Sequence, residues 1–260
     1  MHTLAEATGL YYEEHGPRDA PALVLSPGLG GSATYWAPNI PALAEHFRVI
    51  AYDHRGTGRS DRALPHVDFS ADVVRLLDAL KIDEVYFVGH AAGAVAGLMM
   101  ALDWPQRLSK LVLVNGWSHL DPHFARCFDA RLALLNDSGV AAYVRAQPIF
   151  LYPAEWSSSH SAGLDREAKH QIGQFPSIEV MKARIDALTR FDITDNYDSF
   201  DTPMLALAAS DDMLVPAHCS RELADNIARC EFVLMDWGGH ACNVTDPDTF
   251  NRIVLDFLRS

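Results

Sequence analysis

The chain has 260 residues, 49% of them hydrophobic, enough for one large core with an inserted excursion. Its 34 acidic and 21 basic residues give a formal charge of −13 with no basic cluster; this argues against nucleic acid and membrane surfaces as partners and leaves a small-molecule substrate, with a homodimer as a compatible assembly. No apolar run approaches a membrane span, residues 1–14 lack a secretory pattern, and Cys127, Cys219, Cys230 and Cys242 show no C-x-x-C spacing, so free thiols in a cytoplasmic protein are expected.

Short apolar runs over 22–26, 47–52, 85–88, 111–114, 204–208 and 231–235 read as strands buried on both faces. Helical patterns over 71–80, 94–102, 220–227 and 247–258 fall between or after them. The alternation predicts an α/β fold, a mostly parallel twisted sheet flanked by helices, with any ligand beyond the carboxyl ends of the strands. From Ser118 to Asn196 the rhythm stops and the segment turns helical and aromatic. It reads as a lid, residues 118–196, inserted after the strand ending near Val114 into a core of residues 1–117 and 197–260.

Each motif that carries chemistry follows one of these strands. Pro27-Gly28-Leu29-Gly30-Gly31 stands where a loop can offer a backbone amide to an oxyanion, which makes the Leu29 N–H one candidate donor and Gly28 a substrate-side neighbour. Asp53-His54-Arg55-Gly56-Thr57-Gly58-Arg59-Ser60 reads as a structural turn tied by an Arg55–Asp53 pair. Gly89-His90-Ala91-Ala92-Gly93 has the strand, turn and helix of a nucleophile elbow, G-x-S-x-G, with alanine at the centre. Its glycines fit a turn that brings strand and helix backbones together, and the Ala92 amide is the second oxyanion donor.

A methyl group at position 91 can neither attack a carbonyl nor carry an acyl group, so covalent serine chemistry is unavailable there. Asp212, four residues before Pro216, fits the acid position, with Asp211 as the alternative, and His240 after Gly238-Gly239 fits the base. The chain order of elbow, acid and histidine is that of the α/β-hydrolase fold. A His240–Asp212 dyad with two oxyanion amides predicts general-base activation of water, adequate for a labile substrate. His90 and Cys242 are weaker sources of alternative chemistry, and no cofactor or metal motif is read in the chain.

Several stretches go beyond the generic fold: Gly89-His90-Ala91, Val114-Asn115-Gly116-Trp117, Arg126-Cys127-Phe128, Ala146-Gln147-Pro148 with Phe150-Leu151-Tyr152-Pro153-Ala154, Ala209-Ser210-Asp211-Asp212 with Leu214-Val215-Pro216, and the run from Gly239 to Pro247. They resemble the RutD family, α/β-hydrolase-like proteins of pyrimidine degradation. That resemblance implies that alanine at the elbow is native. It also implies a hydrolase of a small C–N compound, carbamate to carbon dioxide and ammonia, or in an alternative assignment aminoacrylate. Both compounds decompose spontaneously in water, which suits a catalyst without a nucleophile.

In the lid, Trp117, His119, His123, Arg126, Gln147, Phe150, Tyr152 and Trp156 are the residues expected to line a small pocket, and Arg126 is the cation expected to meet a carboxylate or carbamate. Two competing readings are a non-catalytic binding or partner protein on a hydrolase scaffold and a cofactor-free oxygenase using the same dyad.

Overall fold

Strands that are apolar on both faces need cover on both faces, and they receive it in the computed structural model, which describes residues 8–63 and 67–260 together with the backbone of residues 2–5. The strands are β1 (His2–Ala5), β2 (Leu10–His15), β3 (Ala22–Ser26), β4 (Arg48–Tyr52), β5 (Val85–His90), β6 (Leu108–Val114), β7 (Met204–Ala209) and β8 (Cys230–Met235). They form one eight-stranded sheet in the order β1-β2-β4-β3-β5-β6-β7-β8. The strands from β3 onward pair in parallel, while β1 and β2 are antiparallel additions at one edge. Those two were not expected from the sequence, because Leu10–His15 reads LYYEEH, with consecutive glutamates where a buried strand would be apolar. β2 lies between β1 and β4, and an antiparallel strand in that place tolerates a half-exposed pattern.

The helices in chain order are α1 (Ile40–Leu43), α2 (Phe69–Leu80), α3 (Ala92–Asp103), α4 (Pro122–Ala133), α5 (Val140–Leu151), α6 (Ala154–Ser159), α7 (Ser161–Gln174), α8 (Ile178–Thr189), α9 (Ala217–Asn226), α10 (Cys242–Thr245) and α11 (Pro247–Arg259). Phe250, Val254 and Leu258 lie one turn apart on α11 and pack with Leu43 of α1 and Trp36 over one face of the sheet. Asp246 caps α11 by accepting from Thr249 N, and Pro247 stands at its first turn. α2, α3 and α9 cover the other face in a second cluster, which continues into side chains of α4, α5 and α8. Helices α4 to α8 all fall between β6 and β7. Among the described residues no helix is long and apolar enough to cross a membrane.

The turn after β4 is organised differently from the expected Arg55–Asp53 pair. Asp53 is buried and accepts from Ala33 N (2.8 Å), Arg59 N (2.8 Å), Arg59 Nε (2.9 Å) and Arg59 Nη2 (3.0 Å). Gly58, at φ 53°, folds the chain back so closely that a Cβ there would stand 2.2 Å from Asp53 Oδ2, and this brings Arg59 over the carboxylate. Arg55 runs the opposite way, donating from Nε to Asp72 of α2 (3.0 and 3.1 Å) and from Nη2 to Thr8 O (2.7 Å). Asp53→Asn is therefore expected to lower unfolding free energy by about 2 kcal/mol, since a buried acceptor hub loses its charge. Urea titration of the variant checks this, and an unchanged midpoint would remove the hub role.

Candidate active site

β5 ends at His90 and α3 begins at Ala92, so Ala91 alone makes the turn between strand and helix. Its backbone sits at φ 49° and ψ −105°, a conformation that costs a non-glycine residue on the order of 1–3 kcal/mol. The flanking glycines permit the turn: a Cβ on Gly89 would lie 2.2 Å from Gly93 O, and one on Gly93 2.2 Å from Ser26 O. Ala91 N donates to Val114 O at 2.9 Å, anchoring the elbow to β6. The elbow thus keeps a strained geometry although it presents only a methyl group.

His240 Nδ1 lies 2.8 Å from Asp212 Oδ2, and both side chains are buried. A carboxylate can only accept here, so Nδ1 carries the proton and Nε2 the lone pair that a base requires. Asp212 Oδ1 accepts from Leu214 N (2.8 Å) and Val215 N (3.0 Å), which fixes the carboxylate. Asp211 takes a different part: its Oδ1 accepts from Gly239 N at 2.8 Å and so pins the loop carrying His240.

That loop is held from several sides. His240 O accepts from Asn115 Nδ2 (2.7 Å) and from His90 Nε2 (2.7 Å), and Ala241 N donates to Leu151 O at the end of α5 (2.9 Å). Tyr35 Oη donates to Asn243 Oδ1 (2.7 Å), and Asn39 accepts from Asn243 Nδ2 (3.1 Å) while its own Nδ2 donates to the backbone O of Asn243 (3.0 Å). Asn115 and Asn243 stand in stretches singled out in the sequence without a role of their own, and Asn39 and Tyr35 offer no spacing that could reveal theirs. They meet only through the fold, across separations of 125 to 208 residues.

His90 is a support for the base. Its ring centroid is 4.6 Å from that of His240, and burial, reinforced by His240, holds its pKa well below the usual imidazole value. Its Nδ1 has no partner among the described residues and faces Gly28, where a Cβ would stand 2.8 Å away. The Cys242 thiol is fully buried and pushed up to about 12 by burial, so it stays protonated at neutral pH and is a poor nucleophile.

The loop bearing Leu29 is fastened by a residue the sequence reading missed. Arg184 of α8, 1% exposed, donates from Nη2 to Leu29 O (3.0 Å) and to His54 Nδ1 (2.8 Å), and from Nη1 to Arg55 O (3.3 Å). Burial and the Arg184 charge hold His54 well below its ordinary pKa; the neutral ring accepts at Nδ1 and donates from Nε2 to Ser26 Oγ (3.3 Å). Arg184 lay in a periodic helical stretch, where nothing in the spacing marks one cation among several. The Leu29 and Ala92 amides find no acceptor among the described residues, and Ala92 is the first residue of α3, where helix geometry leaves N–H groups free.

The aromatic and cationic residues expected to line a pocket separate into groups. Trp117 is 1% exposed and packs edge-on against Phe124 (4.7 Å) and Phe191 (6.5 Å), as core. Tyr152, Trp156 and His160 stack in succession at 4.6 and 3.9 Å, half-buried to exposed. His119 and His123 bond at the surface, to Ser118 Oγ and Met213 O. Gln147 and Phe150 are buried around Arg131. Arg126 is not in this company: it is exposed and donates to Pro122 O on its own helix (3.1 Å). Trp117 and Phe124 draw the inner face of α4 toward the core, which leaves position 126 outside.

A buried imidazole base oriented by a carboxylate, two free amides and an elbow without a nucleophile can polarise a carbonyl and deprotonate water. Residues 21–247 match the family described as alpha/beta hydrolase fold. A protein named "Putative carbamate hydrolase RutD" from Caulobacter sp. (strain K31) is 54% identical over 256 residues, covering 96% of both chains. One of the same name from Serratia proteamaculans (strain 568) is 50% identical, covering 92% of this chain and 91% of that one. The crystal structure of the enol-lactonase from Burkholderia xenovorans LB400 superposes with a TM-score of 0.88 at 27% identity, covering 100% of each chain.

Proposed function

The chain belongs to the α/β-hydrolase fold family and, within it, to the RutD proteins, and from that premise we propose that it hydrolyses carbamate in the catabolism of pyrimidine nitrogen, using water activated by His240. The observation that carries this reading is the 2.8 Å His240–Asp212 pair, buried beside an elbow that holds a nucleophile's backbone geometry around alanine. In the proposed step His240 Nε2 takes a proton from water as the water oxygen bonds to the carbamate carbon, and the Leu29 and Ala92 amides hold the developing oxyanion charge. The imidazolium then returns the proton to nitrogen as the C–N bond breaks, giving ammonia and bicarbonate, the hydrated form of carbon dioxide. Asp212 stabilises the imidazolium throughout. Helices α4 to α8 act as a lid over this chemistry.

Stopped-flow measurement of carbamate breakdown in buffer, with and without protein, tests the proposal. A rate that rises in proportion to protein concentration is expected, while a rate equal to buffer alone overturns it. Acceleration of aminoacrylate but not carbamate reassigns the substrate. Arg184→Gln is expected to lower kcat roughly tenfold with little change in KM, because it loosens the Leu29 loop and an oxyanion donor acts mainly in the transition state. A change confined to KM would move Arg184 to ground-state binding.

A further inference from the structure

The proposed substrate is an anion, and it would react beside the carboxylate of Asp212 in a chain of net charge −13. A counter-charge near the reacting atoms is therefore needed, and exposed Arg126 does not supply it. Five residues further along α4, about 140° around a helix turning 100° per residue, stands Arg131. It is 4% exposed and forms no ion pair among the described residues.

The partners of Arg131 are all neutral. Nη2 donates to Gln147 Oε1 (2.7 Å) and to Tyr143 Oη (3.1 Å), and the guanidinium lies 5.4 to 5.7 Å from the ring centres of Phe128, Tyr143 and Phe150. Gln147 is itself fixed, donating to Tyr143 O at 3.0 Å. These contacts aim the head group but leave Nε–H without an acceptor among the described residues. A buried guanidinium with neutral neighbours and an unspent donor is costly to maintain unless an anion completes it.

Its position connects it to the dyad by two routes. Phe150, which faces the guanidinium, precedes Leu151, whose carbonyl accepts from Ala241 beside His240. On the other side Cys127, one turn before Arg131 on α4, feels both the Arg131 and the Asp212 charges, and its sulfur lies 3.7 Å from Met213 O, next to Asp212.

We propose that Arg131, held by Tyr143 and Gln147, is the seat for the negatively charged group of the substrate, and that the site selects small monoanions carrying a carboxylate or carbamate over their neutral isosteres. This rests on the reading of the chain as a hydrolase of such an anion. Nε–H makes a charge-assisted hydrogen bond to one anion oxygen, and the aromatic walls exclude water that would screen it.

Titration calorimetry with acetate and with acetamide, a neutral isostere, tests the seat without any turnover. The unaltered chain is expected to bind acetate and to bind acetamide at least roughly tenfold more weakly, and Arg131→Gln is expected to erase that preference. Arg131→Lys, which keeps the charge on a different head group, is expected to retain part of it, and covers the case in which the glutamine variant does not fold. Equal binding of acetate and acetamide by the unaltered chain overturns the proposal, as does a folded Arg131→Gln that keeps the preference. A chain that binds acetate through Arg131 yet leaves carbamate breakdown at the buffer rate refutes the hydrolase reading while the anion seat stands.

Discussion

Ala91→Ser is expected to hydrolyse nitrophenyl acetate at least roughly 10³ times faster than the unaltered chain, with a burst of nitrophenolate that marks an acyl-enzyme. Residue 91 already occupies φ 49° and ψ −105° between two glycines that tolerate the close approach of strand and helix, so a serine needs no backbone movement. The base is in its competent tautomer and is held by Asp212 at 2.8 Å, and the candidate oxyanion amides belong to backbone that the substitution leaves alone. On the proposed reading of the site, a side-chain hydroxyl is what residue 91 lacks for acyl transfer. A folded variant that stays inert, with no burst and no steady release, would show that His240 Nε2 does not point at residue 91.

The second large effect concerns the unaltered reaction. His240→Ala is expected to remove the protein-dependent part of carbamate breakdown by a factor of roughly 10²–10⁴, the usual worth of a positioned proton-transfer group. His90→Ala is expected to cost about tenfold or less, because His240 O then keeps its bond from Asn115 and the dyad keeps its carboxylate. Parallel stopped-flow traces of the three proteins distinguish the two roles. Equal losses would make His90 a chemical participant, and a fully active His240→Ala would end the general-base mechanism.

Much of the sheet was legible because buried parallel strands are apolar at every position, as in Met204–Ala209, and that signal needs no partner to be read. β2 was not legible, since its pairing with β4 rescues a segment whose glutamates look unlike a strand. At the site, the elbow, Asp212 and His240 follow strands at fixed places, and their spacing reveals them. Arg184, Asn115 and Tyr35 act through contacts between distant segments, and Arg126 and Arg131 differ only in which way one helix is turned. Periodicity gives that rotation poorly for α4, where charged residues lie on both sides of a narrow apolar stripe. The Arg59–Asp53 pair escaped for a related reason: which of two arginines reaches a carboxylate depends on how sharply Gly58 turns the backbone.

Helices α4 to α8 are tied to both sides of the site, through Arg184 on α8 to Leu29 O and through Leu151 O at the end of α5 to Ala241 N. Breaking both ties would release the Leu29 loop from Arg184 and remove one of the several bonds that hold the His240 loop. On the proposed mechanism, turnover counts only the molecules in which both ties are intact, and apparent substrate affinity scales with that same fraction. Substitutions far from the dyad that loosen the seam between α8 and the β3 loop will accordingly look like active-site lesions in a rate assay while leaving the chemistry of each assembled molecule intact.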